Sequence, residues 1–348
     1  MSGLFLSGQG AVSRAIGHLQ RALTYCERLL GADHPDTLTF RNNLAVAYQV
    51  AGDLGRAIAL HEGTLADRER VLGTDHPDTL QSRSNLASAY QEAGDLSRAV
   101  PMHEQILADQ ERLLGDDCLD TLSSRNNLAV AYQVAGDLRR AIALHEATLA
   151  DRERVLGADH PNTLQSRNSL ASAYREAGDL GQAIPLLEST LADSERVLGT
   201  DHPNTLQSRN NLAYAYESAG DLGRAIPLYW ATLADRERVL GTDHPDTLQS
   251  RSNLANAYRM MGDPDRAIPL FKATLADCER ILGSDYPHTL ITRHNLAAAY
   301  AAAGDLDRAR LLFEVVLTDC ERALGSDHPL TTTARDILRM MAQHYKQL

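Results

Sequence analysis

Apolar residues recur along the chain at helical spacing, in short runs that glycine interrupts. Between Pro35 and Gly52, the residues Leu44, Ala45, Tyr48 and Ala51 line up on one face of a helix. Pro35 suits the first helical position, where a missing N–H costs nothing, and Asp36 complements the positive helix end. Gly52 stops this run, and Asp53 is placed to cap a second helix. That helix carries Leu54, Ala57, Ile58, His61, Leu65, Val71 and Leu72 on one face before Gly73 ends it. The pattern predicts two helices of roughly 16 and 19 residues, about 24 and 28 Å long.

The pattern then repeats. Gly-Asp returns at Gly52, Gly94, Gly136, Gly178, Gly220, Gly262 and Gly304, always 42 residues apart. Asp-His-Pro follows the same period at His34, His76, His160, His202, His244 and His328, with Cys118-Leu119 and Tyr286-Pro287 in the two gaps. A fixed period of this size means stacked supersecondary units. Seven helix pairs are expected, at 35–73, 77–115, 119–157, 161–199, 203–241, 245–283 and 287–325, in one array over 1–348. A lone second helix over 11–30 precedes them, and a lone first helix over 330–346 follows. Its residues Arg335, Asp336, Arg339, Gln343, His344 and Lys346 are polar enough to cap a stack. The N-terminal end has no such cap, so an upstream domain or self-association is expected there. Residues 41–73 match 125–157 at 31 of 33 positions, differing only at Gly55/Arg139 and Gly63/Ala147. A two-repeat unit has been duplicated.

The motif Arg41-x2-Leu44-Ala45-x2-Tyr48, then Ala57-x3-His61, then Pro77, resembles the tetratricopeptide pattern Trp-x2-Leu-Gly-x2-Tyr, Ala-x3-Phe, Pro. In later repeats the last aromatic is Phe271 or Phe313. The eight extra residues per period lengthen the second helix. With "RNNLAVAY" and "LGTDHPDTL", this long form is similar to kinesin light-chain-type repeats and to repeats of bacterial signalling proteins. HEAT and armadillo repeats share the period but not this spacing. The resemblance implies an all-α, right-handed solenoid whose first helices line a concave groove.

Apolar residues make up 43% of the chain and aromatics 5%, with Ala and Leu dominant, which suits helices packed through small side chains. A net charge of −12 repels phosphate backbones, so a nucleic acid partner is not expected. Lys occurs only at 272 and 346 against 32 Arg, the codon signature of a GC-rich, bacterial and in particular actinobacterial genome. The start, MSGLFLSGQG, does not read as a signal peptide, and no apolar stretch has membrane-spanning length. A cytoplasmic protein without a membrane partner is expected. Cys26, Cys278 and Cys320 share one repeat position, and neighbours about 10 Å apart are too distant for a disulfide. All four cysteines are therefore expected as free thiols.

Little of the polar inventory suits catalysis. The His-Pro histidines are too far apart to share a metal ion. His61, His103 and His145 occupy an aromatic slot and are expected as packed core imidazoles. Asp67 and Glu69 recur in every repeat, whereas an active site is one constellation in one cleft. A structural use is expected instead. Arg41 and its copies Arg83, Arg125, Arg167, Arg209, Arg251, Arg293 and Arg335 lie within the apolar stripe, and Asp67 or Glu69 on the following helix would pair with them. No nucleotide loop, nucleophile elbow or metal motif is present, so neither enzyme activity nor a cofactor is expected.

A second stripe runs opposite the core of each first helix. It brings Asn42 and Gln49 in the first repeat, Gln81 and Gln91 in the second, and Asn126 and Gln133 in the third. Gln165, Asn168 and Arg175 follow, then Gln207, Asn210, Tyr214 and Glu217, then Gln249, Asn256 and Arg259. Amides both donate and accept, so this row suits the backbone of an extended peptide. A protein-interaction scaffold is the leading expectation, and a sensor arm that holds a larger signalling ATPase inactive is the alternative. With no Lys and two Arg on this stripe, an acidic C-terminal tail is not the expected ligand.

Overall fold

Local chemistry sets where each helix starts and stops. The computed structural model describes residues 9–326 and 328–345, and among these it contains sixteen helices and no strand. An unpaired α1 (Gln9–Leu30) leads. First helices of the repeats are α2 (Pro35–Val50), α4 (Pro77–Glu92), α6 (Leu119–Val134), α8 (Pro161–Glu176), α10 (Pro203–Ser218), α12 (Pro245–Met260) and α14 (Pro287–Ala302). Second helices are α3 (Leu54–Leu72), α5 (Leu96–Leu114), α7 (Leu138–Leu156), α9 (Leu180–Leu198), α11 (Leu222–Leu240), α13 (Pro264–Ile281) and α15 (Leu306–Ala323). A last helix, α16 (Pro329–Tyr345), closes the series. Lys346, expected in it, lies outside the described residues.

Each first helix ends in a Schellman turn. Gly52, at φ 78°, donates to the Gln49 carbonyl (2.9 Å), and Asp53 donates to the Tyr48 carbonyl (2.9 Å). A left-handed residue is required there, and only glycine adopts it without strain. Asp53 then accepts from the Arg56 amide and caps α3, and its copies cap the other second helices the same way. Four second helices carry an internal proline, at Pro101, Pro185, Pro227 and Pro269. Each of these helices runs on past its proline, so packing outweighs the lost hydrogen bond.

The Asp-His-Pro histidines turn out to be helix caps. In His34, His76, His160, His202 and His244, Nδ1 accepts the backbone N–H two residues on, at 3.1–3.2 Å. Cys118 and Tyr286, which break the motif, make no side-chain cap bond.

The chain divides into two compact units, residues 10–199 and 200–348. Within the first, Leu23 of α1 packs with Leu44, Tyr48 and Ala57, and successive helices from α2 to α9 pack one on the next. Within the second, the same succession runs from α10 to α16, around Ala255, Phe271, Leu296, Tyr300 and Phe313. Neighbouring first helices also touch directly (α2 with α4, α6 with α8, α12 with α14).

The buried set departs from the expected stripes at their edges. Ala51, the C-cap of α2, and Val71, in the last turn of α3, are exposed. Leu38, Thr37, Thr64 and Arg68 are buried instead. The three core imidazoles are found as expected: His61, His103 and His145 are buried, and burial alone pushes His61 down to about 4. His145 is also held at about 4, by burial first and by Arg152 second. All four cysteines are free, and burial raises the Cys278 and Cys320 thiols to about 11.

Candidate interaction face

The arginine ladder is present, with a refinement in its connectivity. Arg83 on α4 donates to Asp109 of its own repeat's second helix (2.7 Å) and to Glu69 of the preceding one (2.9 Å). Arg125 reaches Asp151 (2.6 Å) and Glu111 (3.1 Å), and Arg251 reaches Asp277 (2.8 Å) and Glu237 (3.1 Å). Each of these three guanidinium groups therefore ties three helices together, two of one repeat and one of the repeat before. The recurring Asp and Glu are divided between neighbouring arginines and do not form paired acids. Asp67 is also engaged by Arg70, which, opposed by burial and supported by Arg41, holds its carboxyl below the usual range. These carboxylates are committed to guanidinium groups, so no general base stands ready there.

A second set of arginines has no counterpart among the expected pairs. Arg68, Arg152 and Arg236 are buried, and desolvation lowers their pKa values. Arg236 donates to the Asp246 carbonyl (3.0 Å), to Ser250 (2.8 Å) and to the Gln207 side-chain oxygen (3.0 Å). Their alternation with Gln110, Ser194 and Cys278 at one repeat position hides the pattern within any single repeat.

The predicted first-helix row divides into three groups. Some amides bond across the stack: Asn85 donates to Asn42 (3.0 Å), Asn253 to Asn210 (3.0 Å), and Gln49 to Glu92 (2.7 Å). Others bond within their own helix: Gln81 to Asn85, Gln207 to Asn211, Gln249 to Asn253, and Asn168 to the Leu164 carbonyl, with Gln207 also accepting from Arg236 of α11. Arg175 donates to Ser172 and Glu176. The Asn126 side-chain oxygen is buried without a hydrogen bond. Gln165 is exposed, and Gln91 and Gln133 are half-exposed.

In residues 200–348 a polar chain crosses the first helices. Asn256 on α12 donates to the buried Glu217 on α10 (2.9 Å), and Arg259 donates to Asn256 (2.8 Å). On α14, His294 stacks edge-on against Phe313 (5.2 Å). Burial first, then the Arg259 charge, hold it below the ordinary imidazole range. Tyr214, Met260 and Ile291 stand exposed on the same helices. This chain gives the face a fixed pattern of donors and acceptors beside apolar contact area. Trp230, 60% exposed, lies apart from it on α11. Among the described residues no group of three or more metal-ligating side chains occurs, and no helix is long and apolar enough to cross a membrane.

No curated protein matches the chain. A model of the tetratricopeptide repeat matches residues 2–62, 36–112, 120–195, 168–234, 220–277 and 261–322. Among solved structures, a putative kinesin light chain from Podosopora anserina with nearly identical repeats is 33% identical. That match covers 58% of this chain and 95% of that one, with a TM-score of 0.51. BtubC from P. vanneervenii is 23% identical over 67% of this chain and 94% of its own, with a TM-score of 0.56. A signal transduction ATPase with a tetratricopeptide repeat sensor from Pyrococcus horikoshii is 16% identical, with a TM-score of 0.56. That match takes in 91% of this chain and 49% of the ATPase, so the chain spans about half its length. The last two likenesses concern the fold alone. With capped helix pairs at a 42-residue period and a family model matching along most of its length, the chain belongs to the tetratricopeptide repeat family.

Proposed function

We propose that this chain is a non-enzymatic scaffold whose first helices hold an extended peptide or an unfolded segment of a partner protein. The observation that carries this reading is the division of polar labour on those helices. Carboxylates and arginines are consumed by the ladder, while among the described residues Gln91, Gln133 and Gln165 stand on the first-helix side outside the bonds that join repeats, beside the exposed Tyr214 ring and the Arg259–Asn256 pair. Side-chain amides match the unpaired N–H and C=O groups of an extended backbone.

The test is retention of partners from host lysate by the parent chain and by a variant with Gln91→Ala, Gln133→Ala, Tyr214→Ala and Arg259→Ala. None of these residues is one of the arginines or carboxylates named in the ladder, so helicity should be unchanged. A partner kept by the parent and lost by the variant supports the reading. Equal retention moves the interaction to the second helices or to α1. The fold likeness to the archaeal ATPase favours a second reading, in which the array is the sensor arm of a larger signalling protein. A reading frame that encodes a nucleotide-binding module beside this chain would support it, and a frame without one would remove it.

A further inference from the structure

The duplicated two-repeat unit has a chemical consequence on the first-helix side of residues 10–199. On α2, Val46 and Val50 are 39% and 36% exposed; on α6, Val134 is 54% exposed and Val130 half-exposed. These two valine pairs are copies, since 41–73 and 125–157 differ only at Gly55/Arg139 and Gly63/Ala147. The repeat between them presents Ser88, Gln91 and Glu92 at the equivalent places. Glu92 is engaged by Gln49 (2.7 Å), whereas no hydrogen bond within the protein takes up the Gln91 amide among the described residues. The valine repeats put no charged side chain on this stripe.

We propose that this face reads an extended, locally uncharged peptide at two points, one aliphatic side chain at Val46–Val50 and a second at Val130–Val134, with Gln91 bonding the backbone between them. The proposal rests on the scaffold reading above and specifies its ligand. Adjacent first helices in contact lie about 10 Å apart, so the pairs are about 20 Å apart. An extended chain covers that distance in about six residues at 3.3 Å each. Six is even, so both side chains emerge on the same face of the strand. A helical ligand would need about 13 residues, and its backbone would offer nothing to Gln91.

Selection of random 16-residue peptides on the immobilised full chain tests this. Binding of the enriched peptides is then measured to the parent, to Val46→Ser/Val50→Ser, to Val130→Ser/Val134→Ser and to the four-alanine variant above. The expected consensus has two aliphatic positions six apart. Each serine pair should weaken binding roughly tenfold, as should shortening the spacing to three. Enriched peptides with a charged or single-aromatic consensus overturn the proposal. So does binding that ignores both serine pairs; if the four-alanine variant still abolishes it, the scaffold reading survives alone. Peptides indifferent to all three variants, or no enrichment at all, remove both.

Discussion

A buried imidazole with no hydrogen-bond partner is an expensive choice for a core. In His61 and His145 both ring nitrogens are sealed and unbonded, in a slot that Tyr229, Phe271 and Phe313 fill elsewhere. The cost depends on pH in a definite direction. Folding holds these rings at about 4 against 6.5, so the unfolded chain takes up protons first as pH falls. Stability is unaffected above about pH 6.5, declines below it, and levels off near pH 4. By pH 5 each ring removes about 2 kcal/mol. His61→Phe with His145→Phe should flatten the acid limb of a urea-denaturation series between pH 7 and 5. An unchanged slope in the double variant would show that other groups govern acid unfolding. His103 sits in the same slot and shifts in the same direction.

Helix boundaries are the next scale, and there the caps offer a clean comparison. Five first helices start under a histidine cap, while α6 starts at Cys118 without one. Cys118→His should supply the missing acceptor and stabilise the chain by about 0.5–1 kcal/mol, the range of other N-cap replacements. A denaturation midpoint that fails to rise would mean the Cys118 turn cannot place the ring. The ladder predicts a larger effect of opposite sign. Arg125→Met keeps the apolar stem but strips Asp151 and Glu111 of their shared guanidinium. With both carboxylates partly solvated, the expected loss is about 1–3 kcal/mol. The partner substitution Asp151→Asn should cost less after Arg125→Met than before it, a coupling that a double-mutant cycle reads directly. The place of each capping histidine is legible in the sequence, immediately ahead of a proline at the first helical position. Its bond to the backbone is not, because that depends on how the ring turns. Nor is the exchange of partners between repeats. Arg83 and Glu69 are 14 residues apart on different helices, and only the packing of α3 on α4 makes them neighbours.

At the scale of the whole molecule, contacts within each of the two units run almost entirely between neighbouring helices, so stability there is a sum of local terms. The acid-sensitive imidazoles of the second-helix slot lie in the first three repeats, Leu187, Tyr229, Phe271 and Phe313 take the slot afterwards, and a second pair lowered by burial, His288 and His294, sits on α14. Amide hydrogen exchange at pH 5 against pH 7 should therefore speed up in α3, α5 and α7, and around α14, and much less in α9 and α11. Uniform acceleration would mean that the chain opens as one cooperative block. Denaturation at neutral pH should be broad or stepwise, and coincident transitions by fluorescence of the single tryptophan and by circular dichroism would count against that.

Periodicity alone determined the element order, the 42-residue unit, the glycine and aspartate caps and the aromatic slot, because each depends on residues within about one turn of one another. Composition and spacing likewise placed Arg41 and its copies inside the apolar stripe. Tertiary structure decided which polar groups remain for a partner. Asn42, Asn210 and Glu217 occupy the same stripe as Gln91 and Gln133, yet the former are bonded across helices and the latter, among the described residues, stand outside the bonds that join repeats. A helical wheel assigns a face, and the approach of the next first helix divides that face between packing and recognition. The buried Arg68, Arg152 and Arg236 make the same point from the other side. Their acceptors are backbone carbonyls and hydroxyls or amides on two neighbouring first helices, groups that no spacing along one helix brings into view.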